Sequence, residues 1–357
     1  MPFSSVVKKK YKFLLPLSWL YMAGVKGYHL LYDLKIRRTW IPGLPVICVG
    51  NLSAGGTGKS PMVEYLIRLL QHRFRVATVS RGYRRKTKGF VLADLHTTAE
   101  EIGDEPMQFH VKFPQATVSV GEDRVDAIQT LTSLRPETDV VILDDAFQHR
   151  KVKAGLNILL TAYDNLFTTD HYLPAGHLRD LKQHYKKAEI IVVTKCKAGL
   201  TEEERDDIIQ SISPLPEQEI LFTDLQYMNP YHLLDQSAPD MDQVEEIFLL
   251  TGIAFPEQLI GHLKAKNYRI SSFIFEDHHQ FTRSELELIL ERFDQQPTPN
   301  KIILTTEKDA TRLKVHSELL RGRPVFVLPV AHRFLFDGQN KFEQIVLDFV
   351  TNFGKPA

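Results

Sequence analysis

Continuous apolar runs punctuate this chain at Val46–Val49, Val76–Val79, Val140–Leu143, Leu156–Leu160 and Ile190–Val193. Branched residues without polar alternation predict strands buried on both faces. Between the runs, apolar residues recur at helical spacing, as in Met62, Val63, Leu66, Ile67 and Leu70. Strands alternating with helices predict an α/β fold, a mostly parallel sheet flanked by helices. The stretch Thr201–Gln243 is polar, acidic and proline-bearing, with weaker periodicity, and reads as a connection between domains. Further runs at Ile247–Leu250, Ile270–Phe275, Ile302–Thr305 and Val325–Val330 predict a second, smaller α/β unit. The expected division is a helical segment over 1–40, a core over 41–225 and the smaller unit over 226–357.

The junction after the first run carries the most chemistry. Ser53-Ala54-Gly55-Gly56-Thr57-Gly58-Lys59-Ser60 lies between a strand and a helix, the layout of a phosphate-binding loop. Glycines let successive N–H groups face an anion, the helix N-terminus adds partial positive charge, and Lys59 adds a full one. Ser60 is placed to offer a hydroxyl to Mg²⁺. Ser53 stands where the strict pattern has its first glycine, and Gly55 and Gly56 keep the turn permissive. The core over 41–225 is therefore expected to be P-loop NTPase-like and to bind a nucleoside triphosphate.

The segment before this core has two readings. Leu17, Leu20, Tyr21, Gly24, Tyr28 and Leu31 share one helical face, with Lys26, His29, Asp33 and Arg37 opposite. Lys8, Lys9, Lys10 and Lys12 precede it. Such a helix suits a bilayer surface and equally suits packing on the protein's own core. A membrane span needs about 20 apolar residues, and Lys26 interrupts this one. A cleaved signal would export a nucleotide-binding domain away from its nucleotide.

Composition narrows the field. The 357 residues are 43% hydrophobic, enough for a real core, and the 44 basic and 44 acidic residues cancel. Zero net charge argues against bulk attraction to nucleic acid. Cys48 and Cys196 show no metal-ligand spacing, which argues against a disulfide framework or zinc site and fits a reducing compartment.

Other candidate groups sit at strand ends, which face the ligand crevice of an open α/β sheet. Asp144 and Asp145 end the third run, at the place where an Asp holds Mg²⁺ beside a phosphate loop. An Asp pair there also serves as a turn or helix cap. Ser80-Arg81-Gly82-Tyr83-Arg84-Arg85 follows the second run and either binds phosphate or is a solvated charge run. Gly103-Asp104-Glu105-Pro106 reads as a helix start capped by Asp104, or as the carboxylate that accepts a proton from an alcohol. Asp277-His278-His279 and Thr305-Thr306-Glu307-Lys308-Asp309 are further clusters, and Gln148 and His149 lie just past Asp145. Thr194-Lys195-Cys196-Lys197 lacks the closing Asp of the guanine-reading Asn-Lys-x-Asp motif, so guanine recognition is not expected.

In order, Gly50-Asn51-Leu52-Ser53 to Ser60-Pro61, Ser80-Arg81-Gly82-Tyr83, Gly103-Asp104-Glu105-Pro106, Asp144-Asp145-Ala146-Phe147-Gln148-His149 and Thr306-Glu307-Lys308-Asp309 form a set. Spanning roughly residues 10 to 335, this set resembles the tetraacyldisaccharide 4′-kinases, the lipid A kinases of Gram-negative bacteria. The resemblance implies that ATP with Mg²⁺ donates its γ-phosphate to the 4′-hydroxyl of a tetraacyldisaccharide 1-phosphate, giving lipid IVA. It implies a peripheral position on the cytoplasmic face of the inner membrane through the N-terminal helix, with no obligate protein partner. Residue by residue, it makes Asp104 the general base and His278 its orienting partner, His278 being preferred to His279 on register. Lys59 and Arg124, in Gly121-Glu122-Asp123-Arg124, would stabilise charge on the transferred phosphate. Ser60, Glu105, Asp144 and Asp145 fall on the metal side, and Arg81, Tyr83, Gln148, His149 and Arg179 on the substrate side. Two departures stand out. Arg179-Asp180 replaces the family's usual Arg-Glu, a methylene shorter, and Ala146 replaces the glycine of Asp-Asp-Gly.

Overall fold

The structure is a computed structural model and describes residues 12–355. Lys8, Lys9 and Lys10 lie outside the described residues. Among the described residues, fourteen strands form two sheets. In chain order they are β1 (Val46–Asn51), β2 (Val76–Ser80), β3 (Val91–Leu92), β4 (Thr117–Val120), β5 (Val140–Asp144), β6 (Leu156–Ala162), β7 (Ile190–Thr194), β8 (Glu219–Tyr227), β9 (Tyr231–His232), β10 (Glu246–Thr251), β11 (Arg269–Ile274), β12 (Lys301–Thr306), β13 (Val325–Leu328) and β14 (Val330–Phe334).

The large sheet runs β14-β8-β7-β6-β1-β5-β2-β4-β3, parallel except at its two edges, where β14 and β3 run antiparallel. β1 is central, between β5 and β6. Its side chains alternate between two cores. Val46 and Cys48 join one with Leu143 and Ile191, and Ile47 and Val49 join the other. The helix Lys59–Leu70 puts Met62, Val63, Leu66, Ile67 and Leu70 into that second core, all fully buried. At about 25 cal/mol per Å², each such side chain contributes about 1.5–3 kcal/mol, which fixes the helix and the loop in front of it against the sheet.

The small sheet runs β11-β10-β12-β13-β9, parallel apart from the β13–β9 edge, with its own two apolar clusters. The expected strand Val325–Val330 is two strands in different sheets: β13 ends at Leu328, and β14 begins at Val330. Pro329 lacks an N–H and cannot continue a ladder. From Val330 onward the chain returns to the large unit. There β14 pairs with β8, and the helix Gly338–Thr351 buries Phe342, Val346 and Val350 against the phosphate-loop helix. The stretch Thr201–Gln243 is more than a connection, since it holds the helix Glu202–Ile212 and β8.

The helix Leu15–Asp33 leaves much of its apolar face outside and seats mainly polar residues on the core. Ser18, His29 and Tyr32 are buried, while Leu17, Trp19, Leu20 and Leu30 are exposed. Polar partners on the core explain this. The Ser18 hydroxyl donates to the Tyr172 carbonyl at 2.8 Å, and His29 Nε2 meets Asp180 Oδ1 at 2.9 Å. No helix among the described residues is long and apolar enough to cross a membrane.

Candidate active site

The Ser53–Ser60 loop leaves the central strand at the carboxyl edge of the large sheet. Gly55 and Gly58 have φ of +117° and +83°, conformations that favour glycine. The loop is braced from several sides. Asn51 Nδ2 donates to Thr57 Oγ1 at 2.9 Å, Thr194 Oγ1 donates to the Thr57 carbonyl at 2.9 Å, and the Ala54 N–H donates to the His177 carbonyl at 2.7 Å. His332 of β14 touches the loop through Nε2 and the Gly58 carbonyl, 2.8 Å apart. Lys59 follows Gly58 at the first turn of the helix, its Nζ 3.9 Å from Asp145 Oδ2. Ser53 is buried and bridges to Leu178.

Carboxylates crowd this loop. The Ser60 hydroxyl donates to Glu105 Oε1 at 2.9 Å. Asp144, at the tip of β5, accepts only a long bond from Ser80 at 3.4 Å, and its Oδ1 is buried with no hydrogen-bond partner. Burial, then the charges of Glu105 and Asp145, push the Asp144 carboxyl up to about 7. The charges of Lys59 and Arg124 do not offset this, and among the described residues no cation bonds the carboxylate directly, a place a divalent cation would fill. Ser60, Glu105 and Asp144 thus fit Mg²⁺ by donor type. Asp145 differs. Burial would raise it, but Lys59 and Arg179 outweigh that and hold it low. Arg179 grips both Asp145 oxygens and reaches Asn51 Oδ1 at 2.5 Å.

Asp104 is the first residue of the helix Asp104–Lys112, and its side chain caps nothing. Gly103 before it has φ +92°, and a Cβ there would lie 3.0 Å from the Tyr83 carbonyl, so the Arg81–Tyr83 loop and this helix start can touch. Asp104 Oδ2 accepts from His278 Nδ1 at 2.9 Å and from Arg312 Nη1 at 2.5 Å. Burial would raise its pKa, and His278 and Arg312 together hold it below the usual carboxylate range. His279 points elsewhere, stacked on Phe275 and bonded to Glu285 at 3.0 Å. Of the two histidines, His278 is the one bonded to Asp104. Tyr83 is 62% exposed at the mouth, its ring centroid 5.5 Å from that of His278 in an edge-on arrangement, and Arg81 is exposed beside it.

Arg124 is buried behind Asp144 and Asp145, donating to the Gly121 carbonyl at 2.6 Å. Burial, then the Arg124 charge, lower His149 to about 4, and its Nε2 accepts the Arg124 N–H at 3.3 Å. Gln148 donates to the Asn51 carbonyl at 2.7 Å. These side chains back the carboxylates and the loop rather than project into open space.

Sequence reasoning left Arg312 without a role, although Lys308 stood in a noted cluster. Both lie on the helix Glu307–Leu313, four residues apart and hence on one face. Lys308 pairs with Glu105 as Arg312 pairs with Asp104. Asp180 also lies off the carboxylate cluster. With His29 and His184 it forms the one trio of ligand-type side chains within 4.8 Å among the described residues. Arg150 Nη1 lies 3.2 Å from His29 Nδ1. An arginine only donates, so the His29 proton sits on Nε2 and points at Asp180. The trio is a hydrogen-bonded tie between the first helix and the core.

The family model for tetraacyldisaccharide-1-P 4′-kinase matches residues 11–351. The tetraacyldisaccharide 4′-kinase of Bacteroides thetaiotaomicron is 41% identical over 96% of this chain and 94% of its own length. That of Flavobacterium johnsoniae is 42% identical over 95% of this chain and 97% of its own. A crystal structure of LpxK from Aquifex aeolicus in complex with ATP superposes with a TM-score of 0.74 at 28% identity, covering 95% of this chain and 99% of that one.

Proposed function

This chain belongs to the tetraacyldisaccharide-1-P 4′-kinase family, and from that premise we propose how its own residues move the γ-phosphate of ATP onto the 4′-hydroxyl of a tetraacyldisaccharide 1-phosphate. The observation that carries the assignment of roles is the Asp104 carboxylate, kept ionised by His278 and Arg312 on the rim of the glycine-rich loop.

The loop N–H groups and Lys59 hold the triphosphate, with Ser53 to Ser60 as the cradle. The acceptor 4′-hydroxyl lies against Asp104. As its oxygen bonds to the γ-phosphorus, the bond from that phosphorus to the β–γ bridging oxygen breaks and ADP leaves. The hydroxyl proton passes to Asp104, and His278 steadies the carboxylate that receives it. Lys59 offsets the charge spread over the transferred phosphoryl group, and Arg124, buried behind Asp144 and Asp145, acts through those carboxylates rather than on the phosphoryl group itself. Ser60, Glu105 and Asp144 would hold Mg²⁺, with Asp145 alongside and already paired to Arg179. The chemistry a bound Mg²⁺ supplies is neutralisation of the β- and γ-phosphate oxygens. Arg81 and Tyr83 meet the sugar, and Gln148, His149 and Arg179 keep the far wall in place.

The lipid end has a seat beside this cleft. A cavity of about 390 Å³ is lined by Leu20, Tyr21, Gly24, Val25 and Tyr28 of the first helix and by Gln148 and Arg179 of the site. Trp19 and Leu20 are 63% and 71% exposed on the same helix, and Phe13, in the turn just before it, is 76% exposed. An apolar, aromatic face of this kind supports peripheral attachment to the cytoplasmic face of the inner membrane of a Gram-negative cell. In domain terms, the helix is the membrane element, the large sheet the nucleotide unit, and the small sheet the smaller unit that delivers His278.

Incubation with γ-³²P-ATP and tetraacyldisaccharide 1-phosphate tests the assignment. Label should appear in a lipid product with the wild type, and should fail to appear with Lys59→Ala or with an acceptor lacking the 4′-hydroxyl. Label in the lipid with that acceptor would refute the site of transfer.

A further inference from the structure

We infer that Arg312 is a positioning residue for phosphate transfer: its guanidinium holds Asp104 by one oxygen and leaves the other to take the acceptor's proton. The inference rests on the proposed role of Asp104 as base.

The geometry around the carboxylate is asymmetric. Both His278 Nδ1 and Arg312 Nη1 bond to Oδ2, while Oδ1 accepts no hydrogen bond among the described residues. A carboxylate held on one oxygen by an imidazole and a guanidinium cannot rotate freely, so the same oxygen always faces the cleft. Arg312 is fixed in turn. It is 3% exposed. Its Nη2 bonds to Asp309 and donates to the Gly252 carbonyl at 3.2 Å. Asp309 is fully buried and accepts from Thr251 Oγ1 at 2.9 Å, Thr306 Oγ1 at 2.6 Å and the Gly252 N–H at 3.1 Å. A rigid network in the smaller unit therefore ends on the base of the larger one.

A role confined to neutralising Asp309 would not require the second bond. Arg312 instead spans two carboxylates 205 residues apart in sequence (309 − 104). Arginine does this from two separate nitrogens of one plane, Nη1 to Asp104 and Nη2 to Asp309, a spread that the single nitrogen of lysine lacks.

Charge follows position. The groups facing Asp104 are His278, with Asp277 3.8 Å from its Nε2, then Arg312 and Lys308 from the helix Glu307–Leu313, and Glu105 on its own helix, which Lys308 neutralises. With Arg312 removed, His278 alone would hold Oδ2, and the carboxylate could turn about its Cβ–Cγ bond.

The test is the split between kcat and the KM for ATP in Arg312→Met, Arg312→Lys and Asp104→Asn, each checked for folding by circular dichroism. For Arg312→Met, kcat should fall at least about tenfold with the KM for ATP within about twofold of wild type. Arg312→Lys should recover part of that loss while kcat stays at least about threefold below wild type, because one nitrogen replaces two. A wild-type kcat in Arg312→Met, alongside an inactive Asp104→Asn, would overturn the inference and leave the base in place. A fully active Asp104→Asn would overturn the base itself. If Arg312→Met does not fold, Arg312→Lys decides: reduced kcat at unchanged ATP KM supports positioning, and wild-type kcat refutes it.

Discussion

Gly58 is the position where the glycine-rich loop has least room, and Gly58→Ala probes that loop quantitatively. Its φ of +83° is left-handed, which costs a residue with a Cβ about 1–2 kcal/mol. The new Cβ would sit 3.0 Å from both Cε1 and Nε2 of His332. That ring is 5% exposed and cannot swing away without breaking its bonds to Thr223 Oγ1 at 2.9 Å and the Gly58 carbonyl at 2.8 Å. Overpacking of this kind costs about 1–3 kcal/mol, for a total of about 2–5 kcal/mol. Part of that is relieved by displacing the loop, so ATP affinity should fall at least about tenfold. Urea unfolding and equilibrium ATP binding measure the two effects. Gly43→Ala is the control, with nothing within 4 Å of its added Cβ, and should stay within about 0.5 kcal/mol of wild type. If the two variants prove equally stable and bind ATP equally, the packing of His332 on the loop is wrong.

Two further predictions concern acid and membrane. Burial lowers His332 to about 4, against about 6.5 unfolded. Between those values the unfolded chain takes up a proton that the native ring refuses, so stability rises with pH through this window and falls on acidification. The unfolding free energy from urea titrations should drop from pH 6.5 to pH 4, by on the order of 3 kcal/mol for this group, and His332→Gln should flatten that slope; an unchanged slope would contradict the assignment. Trp19→Glu with Leu20→Glu places charge on the exposed face of the first helix. Sedimentation with phospholipid vesicles should fall at least about tenfold, while transfer to a detergent-dispersed acceptor persists. Equal sedimentation of variant and wild type would remove this face from membrane attachment.

The expected strands were legible because burial on both faces leaves continuous apolar runs, and β1, β2, β5, β6 and β7 begin where those runs begin. The glycine-rich loop was legible because its chemistry is local. Elements whose pairing depends on distant partners were not. Pro329 hides a change of sheet inside one apolar run, and β8 sits in a polar stretch because its edge partner β14 comes from the far end of the chain. His29 reads as a solvated residue until Asp180, 151 positions away, is brought beside it. The motifs pointed to Asp104 and His278, yet their contact spans 174 residues and was visible only through family likeness. Arg312 carried no such mark, since one arginine on a short helix looks like any surface charge until its burial is known.

The most direct test of this account is single-turnover transfer from ATP to tetraacyldisaccharide 1-phosphate by Asp104→Asn, with ATP binding measured alongside. Removing a general base should slow the chemical step by about 10²–10⁴-fold while the dissociation constant for ATP stays within about threefold. Transfer at a rate close to that of the wild type would show that the proton of the sugar hydroxyl leaves by some other route.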